Sequence, residues 1–176
     1  MKSLLVAGAS VVMAISLYGC QSKEDTSAVK PVTQEQANQE PRELTEAKNI
    51  SDVDKQAVIQ TLEAQEAAFN AKDIDAYMET ISKDPLSFDY NEERDFVQSM
   101  FKAYDMTMDM ETKTIIEYNE AEQTATVHIR TKTSVKEAGN ESMEPLEDLS
   151  NQVVMLRKED NEWNIIQTFA MEQREQ

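Results

Sequence analysis

The sequence predicts an α+β fold in which three N-terminal helices pack on a curved antiparallel sheet of about four strands. Between Ser51 and Lys102 apolar residues recur every three or four positions, as in amphipathic helices. After Lys102 they recur at every second position, as in strands with one buried face. Because the helices come first and the strands follow as a meander, we expect the helices to cover one face of the sheet.

The three helices are predicted from their capping residues and apolar stripes. Ser51 and Asp54 have the spacing of residues that accept hydrogen bonds from the free amides of a first helical turn. Asp73 is expected to cap a second, short helix that ends at Asp84-Pro85, since the residue before a proline avoids the helical region. Asn91 is expected to cap the third. The stripes are Val58, Ile59, Leu62 and Phe69, then Ile74, Tyr77, Met78 and Ile81, then Phe96, Val97, Met100 and Phe101.

The strands are predicted from period-two patterns and turn residues. The first strand runs from Tyr104 to Tyr118, and a turn at Asn119-Glu120 leads to a second strand that ends near Val135. A glutamate-rich loop precedes a third strand at 153–156, and Glu159-Asp160-Asn161 turns the chain into the fourth. The inward series are Tyr104, Met106, Met108, Met110, Thr112, Thr114, Ile116 and Tyr118 in the first strand, Ala125, Val127 and Ile129 in the second, and Trp163, Ile165, Phe169 and Met171 in the fourth.

The N-terminus predicts export and lipid anchoring. Lys2 precedes an apolar segment from Leu4 to Leu17 that is too short to span a bilayer, which is typical of a secretory signal peptide. Leu17-Tyr18-Gly19-Cys20 resembles the bacterial lipobox, and this resemblance implies cleavage between Gly19 and Cys20 and lipidation of the Cys20 thiol. Tyr18 departs from the small residue usual at its position. An ordinary signal peptide or a short buried helix is the alternative.

The chain divides into four parts on these signals. Residues 1–19 are the predicted signal peptide, and residues 20–50 are a lipidated cysteine followed by a polar tether with too few apolar residues to fold. Residues 51–172 are the predicted domain, and 173–176 are a tail. The single cysteine excludes an internal disulfide, so the domain depends on its core for stability.

The charge of the chain limits its partners. Acidic residues outnumber basic ones 34 to 17, for a formal net charge of −17. Nucleic-acid binding needs basic residues to neutralise phosphates, so we expect no nucleic-acid partner. A solvated acidic surface explains the charge, and attraction of a basic protein partner is the alternative.

The order of elements resembles the nuclear transport factor 2-like superfamily, the cystatin-like α+β cone that includes ketosteroid isomerase, scytalone dehydratase and polyketide cyclases. The resemblance rests on TLEAQEAAFNAKDIDAYMETIS at 61–82 and on VVMLRKEDNEWNIIQTFAM at 153–171. It spans residues 51–172 and implies a pocket inside the cone, which serves catalysis in some members and binding in others.

Two residues are candidates for catalysis in such a pocket. Tyr77 lies among Ile74, Met78 and Ile81, so a core tyrosine with its hydroxyl at the pocket rim competes with a catalytic donor. His128 alternates with apolar neighbours and is expected to be solvated, although a neutral imidazole could act as a base if its face turned inward. The catalytic positions of the isomerase branch have no residue-by-residue match here.

The candidates for lining a ligand pocket are Tyr77, Tyr104, Met106, Met108, Met110 and Phe169. Methionines suit adaptable binding surfaces, although ordinary core filling is the preferred explanation for them. We expect no cofactor. We also expect no metal: the acidic run from Asp73 to Asp84 resembles a calcium loop, but it has Met78 where such a loop needs glycine.

These observations predict a lipid-anchored extracytoplasmic domain that binds without catalysis. The ligand is an apolar small molecule in the cone or an envelope protein on the sheet, where a dimer could also form. The alternative is a pocket enzyme of the isomerase, dehydratase or cyclase type that uses Tyr77 or His128. In a double-membrane bacterium the residue after Cys20, which is not aspartate, favours the outer membrane.

Overall fold

The structure, a computed structural model, describes residues 44–171 and confirms the predicted fold class. Three helices precede four strands. They are α1 (Asp52–Asn70), α2 (Ile74–Glu79), α3 (Tyr90–Ala103), β1 (Tyr104–Asn119), β2 (Thr124–Glu137), β3 (Leu146–Glu159) and β4 (Glu162–Met171). No helix within residues 44–171 is long and apolar enough to cross a membrane.

The strands form one antiparallel sheet in the order β1-β2-β3-β4. The β3–β4 hairpin turns through Asp160 and Asn161, whose φ angles are 49° and 71°. Asp and Asn tolerate this left-handed region better than most residues, and a two-residue turn of this kind matches the twist of the paired strands. Local turn chemistry therefore sets the register of the last hairpin.

The helices cover one face of the sheet and form two apolar clusters with it. In the first, Val58 and Leu62 of α1 pack on Val127, Leu156 and other inward residues of the sheet, and all four of these side chains are at 0% exposure. The second cluster joins the three helices to one another around Phe69, Tyr77, Met78, Val97 and Phe101. Complete burial of a leucine or valine stabilises the fold by about 1.5–3 kcal/mol.

Strand β1 differs from the predicted alternation because two bulges interrupt it. The register with β2 shifts between Met110 and Thr112 and again between Ile115 and Glu117. A bulge inserts one residue and moves the following side chains to the other face. Ile115 is consequently buried at 1% exposure, and the predicted inward residue Ile116 is only half-buried.

Helix α2 ends earlier than predicted. Its C-cap is Thr80, and the chain then runs along the edge of β4, where Ile81 forms a parallel bridge with Ile165. The amide of Ser82 donates to the carbonyl of Ile165 at 2.9 Å, and the amide of Ile165 donates to the carbonyl of Thr80 at 2.9 Å. Pairing with β4 therefore ends the helix before Pro85 is reached.

Two further boundaries differ from the predicted ones. Helix α3 is capped by Asp89, whose carboxylate accepts from the amides of Asn91 and Glu92, so Asn91 lies inside the helix. Strand β3 begins at Leu146, well before 153, because its polar first half pairs with β2, from Leu146 opposite Val135 to Gln152 opposite Ile129. Cross-strand pairing replaces the missing apolar alternation.

The described chain also begins ahead of Ser51, the predicted start of the domain. The Ala47 amide donates to the carbonyl of Ile115 at 2.8 Å, and the Asn49 side chain donates to the carbonyl of Tyr118 at 3.0 Å. Ala47 and Ile50 pack against the first apolar cluster. The end of the predicted tether therefore lies along the edge strand β1.

Candidate functional site

A cavity of about 380 Å³ lies between the helices and the face of the sheet that they cover, and we call it the cone cavity. Its volume falls in the range of small-molecule sites, which is about 300–1,000 Å³. Half of its lining is apolar: Ile81, Phe88, Met108, Met110, Val154 and Ile165. The other half is polar: Gln65, Tyr77, Ser87, Glu93, Gln152 and Thr168. The cavity therefore suits a ligand that has both an apolar body and polar groups.

Tyr77 is held rigidly at the wall of the cone cavity. Its ring packs edge-on against Phe101, with centroids 6.5 Å apart, and lies 6.4 Å from the ring of Phe69. Only 9% of the residue is exposed. Aromatic packing of this kind restricts the ring, so the phenol oxygen is directed at one place.

The Tyr77 hydroxyl donates a hydrogen bond of 3.2 Å to Oε1 of Glu93, which reaches the cavity from the first turn of α3. Burial raises the pKa of Tyr77 well above its ordinary value, and the negative charge of Glu93 raises this pKa further. Tyr77 is therefore a neutral hydrogen-bond donor at physiological pH. Its hydroxyl proton is used in the hydrogen bond to the Glu93 carboxylate.

Two amides in the lining have hydrogen-bonding capacity that the described protein does not use. Gln65 is 9% exposed and Gln152 is half-buried, and the side chain of neither is hydrogen-bonded to another of the described residues. Neither amide is among the fully buried polar atoms that lack a partner, so both reach solvent in the free protein and can exchange that contact for hydrogen bonds to a ligand. These two side chains are the natural contacts for a polar ligand.

The predicted pocket residues separate into two groups. Tyr77, Met108 and Met110 line the cone cavity together. Tyr104 and Met106 line two separate surface hollows near the start of β1. Phe169 is 50% exposed, and its partner Val153 on β3 points away from the helices, because Val154 faces the cavity. The β3–β4 register shifts between Met155 and Leu156, which inserts a residue into β4. Thr168 therefore faces the cavity, and Phe169 and Met171, both predicted to face inward, lie on the other side of the sheet.

His128 lies on the face of the sheet opposite the cone cavity. Its neighbours Val127 and Ile129 belong to the apolar core, so the imidazole points to the other side, in one row with Thr114 and Val153. The residue is nevertheless only 9% exposed, which differs from the predicted solvated position, since β2 is flanked by a strand on each side. Burial lowers the pKa of His128. The imidazole cannot act on a ligand in the cavity.

Gln65 and Glu93 are cavity residues that the sequence analysis did not single out. Each occupies a position on the buried stripe of its helix: Gln65 follows Leu62 by three residues, and Glu93 precedes Val97 by four. A polar residue on an apolar stripe is the signal that could have found them. The lipidation site Cys20 and the cleavage position Gly19 lie outside the described residues.

A larger hollow of about 470 Å³ lies outside the cone, between α1, α2 and the β3–β4 hairpin. It is lined by surface residues such as Gln60, Glu79 and Asn161, and it is more open to solvent than the cone cavity. An open groove encloses little of a ligand, so the cone cavity is the better candidate site.

Fold and cavity together define an α+β cone of the nuclear transport factor 2-like type, and solved structures agree. The chain resembles a nuclear transport factor 2-like superfamily protein from Salmonella enterica serovar Typhimurium (TM-score 0.61, 11% identity, 72% of this chain and 95% of that one). It also resembles a protein of unknown function with a cystatin-like fold from Nostoc punctiforme (0.54, 15%, 69% and 92%). A third is a ketosteroid isomerase-like protein from Erwinia carotovora atroseptica (0.53, 17%, 67% and 95%).

The sequence itself assigns the family. Residues 60–175 match the family described as anti-sigma-I factor RsgI9, C-terminal domain, and the chain belongs to this family. No curated protein matches the chain. At these low identities the solved structures support the fold alone.

Proposed function

We propose that this protein is a lipid-anchored extracytoplasmic binding protein whose domain holds a small ligand in the cone cavity. The observation that carries the proposal is the half-polar lining, in which the amides of Gln65 and Gln152 make no hydrogen bond to the described protein and share one cavity with apolar side chains. The family takes its description from a regulatory protein, an anti-sigma-I factor. This favours a domain that binds and signals over one that converts a substrate.

A cavity-blocking variant tests ligand binding. Thr168 is exposed at the rim of the cone cavity, and its neighbour Gln167 is the partner of Met155, on the other face of the sheet. The full chain isolated from its own cells should carry a small molecule that mass spectrometry detects. Thr168→Trp should lose this molecule and Gln167→Trp should retain it. Equal retention by both variants would contradict binding in the cavity.

Catalysis is the second candidate function, and the Tyr77–Glu93 pair is the observation in its favour. A carboxylate beside a neutral tyrosine could serve as a general base in an isomerase, dehydratase or cyclase. An oxyanion, however, needs a donor with a free proton, and the Tyr77 hydroxyl donates to Glu93. Binding without turnover therefore fits the pair better.

The membrane anchor belongs to the proposal through Cys20. Two or three acyl chains on one cysteine hold a protein on a membrane permanently, because each buried methylene contributes about 0.8 kcal/mol. Cys20→Ser should release the protein from membranes and abolish labelling by a palmitate analogue, whereas Ser22→Ala should do neither. Retention of Cys20→Ser on the membrane would contradict the lipobox interpretation. In a double-membrane bacterium the expected location is the outer membrane.

The outer face of the sheet is the proposed contact for a second copy of the chain. It exposes Phe169 (50%) and Met171 (48%). Ion pairs of Arg130 with Glu111, at 3.2 Å, and of Lys132 with Glu147, at 3.0 Å, neutralise part of its charge. On a chain with a net charge of −17, two copies repel each other less at a face where acidic side chains are paired.

Analytical ultracentrifugation tests this contact. Phe169→Glu should convert a dimer to a monomer. Phe96→Glu, at a residue 60% exposed on α3, should leave the dimer intact. A monomeric wild-type protein would refute the dimer, and the proposed partner of the outer face would then be an envelope protein.

A further inference from the structure

The cone cavity carries a net negative charge. Among its lining residues, Glu93 carries the only carboxylate, Tyr77 carries the only other ionisable group, and there is no lysine, arginine or histidine. Tyr77 stays neutral there, because burial raises its pKa. A ligand in this cavity therefore meets one carboxylate and no cation from the lining.

The Glu93 carboxylate has no ion-pair partner within 4.0 Å among residues 44–171. Two basic residues close to it in the sequence are engaged elsewhere: Arg94 pairs with Asp75, and Lys83 lies 4.0 Å from the centre of the Tyr90 ring. A carboxylate has about four acceptor sites, of which the Tyr77 hydroxyl occupies one. No other hydrogen bond or ion pair to this carboxylate is formed by residues 44–171, so its remaining sites are open to solvent or to a ligand in the cavity that Glu93 lines.

The rest of the lining completes the environment of a cation with an apolar body. Tyr77 and Phe88 present aromatic rings to the cavity, and ring faces attract ammonium groups. The side-chain oxygen of Gln65 can accept a further hydrogen bond from such a group. Met108 and Met110 supply an apolar floor that adapts to the ligand's carbon skeleton.

We propose that the ligand of the cone cavity is a small positively charged amine with an apolar body, whose ammonium group pairs with Glu93. This inference rests on the proposed function, that the cone cavity binds a small molecule. The ammonium group donates to the free oxygen sites of Glu93 while Tyr77 holds the carboxylate in place. An anionic ligand of the same shape meets the carboxylate as a like charge and is excluded.

Three probes of one shape and different charge test the inference. They are 3-phenylpropylamine, 3-phenylpropan-1-ol and 3-phenylpropanoate, titrated into the full chain by calorimetry and by chemical-shift mapping. We expect the amine to bind at least tenfold more tightly than the alcohol, with shifts at the cone cavity, and the carboxylate to bind most weakly. Glu93→Gln should reduce the affinity for the amine about tenfold and leave the alcohol unchanged.

Glu92→Gln is the matched control, because it makes the same change of charge at an exposed position of the same helical turn. It should leave the affinity for the amine unchanged. An alcohol or carboxylate that binds the cavity as tightly as the amine would overturn the ligand class and leave the binding function standing. An equal loss of affinity for the amine in Glu92→Gln and Glu93→Gln would also overturn the ligand class and leave the binding function standing. Binding of none of the three probes would overturn both.

Discussion

Tyr77→Phe should change both the stability of the domain and the dependence of that stability on pH. The substitution removes only the hydroxyl that donates 3.2 Å to the half-buried carboxylate of Glu93. A hydrogen bond to a charged group contributes about 1.5–3 kcal/mol when it is fully buried. Because Glu93 is half-buried and can turn to water, we expect a loss of about 1 kcal/mol at pH 7.

At alkaline pH the order of stability should reverse. The folded-state pKa of Tyr77 is raised above its unfolded value of about 10, so the stability that comes from keeping it neutral is complete below pH 10 and is lost as the pH rises toward the folded-state pKa. The wild type should lose about 1.4 kcal/mol per pH unit above about pH 10. The phenylalanine variant lacks this loss. The two stability curves should therefore cross near about pH 10.7.

Urea unfolding of the full chain between pH 7 and pH 11.5 provides the measurement. Fluorescence of Trp163 reports unfolding, since this single tryptophan is 3% exposed in the fold. Tyr104→Phe is the control, because Tyr104 is 37% exposed, and its curve should stay parallel to that of the wild type. A constant offset between Tyr77→Phe and the wild type at every pH would refute the reasoning that Tyr77 is buried and neutral.

Two further predictions concern stability. Thr131→Val should stabilise the domain by about 1 kcal/mol in chemical denaturation, because the buried Thr131 hydroxyl has no hydrogen-bond partner in residues 44–171; a destabilised variant would show that the hydroxyl is satisfied. Asp54→Asn should cost about 1–2 kcal/mol at pH 7, since Asp54 accepts from Lys158 at 2.7 Å and from the Ser51 hydroxyl at 2.8 Å. Hydrogen bonding to Lys158 and Ser51 lowers the pKa of Asp54, so this difference should be present above about pH 4 and disappear as the pH falls through the folded-state pKa. An unchanged difference at pH 2, measured by thermal unfolding, would contradict this role.

The sequence was a reliable guide where local chemistry decides the structure. Ser51 caps α1 as predicted, because its hydroxyl needs only the amide of Asp54 three residues on. Asp73 caps α2 for the same reason. The turn at Asp160 and Asn161 follows from the tolerance of these two residues for positive φ. Each of these features depends on interactions within a few residues.

The sequence predicted less well where helices and strands end, and which face of a strand is buried, when these features depend on residues far away in the chain. The bulges of β1 are defined by its pairing with β2. The sequence of β1 alone therefore gave no sign that Ile116 would leave the inward face. Helix α2 ends where β4 offers hydrogen bonds to Ile81 and Ser82. These partners lie more than eighty residues away in the chain.

The candidate site shows the same division. By itself, the sequence determined that the chain forms an α+β domain with Tyr77, Met108 and Met110 on buried faces, because periodicity records which side chains leave water. Only the tertiary structure brought Tyr77 of α2 to Glu93 of α3 and Gln152 of β3, and placed Phe169 and His128 on the other side of the sheet. A periodic pattern shows that a side chain is buried, but the packing of separate elements decides against which partner it is buried.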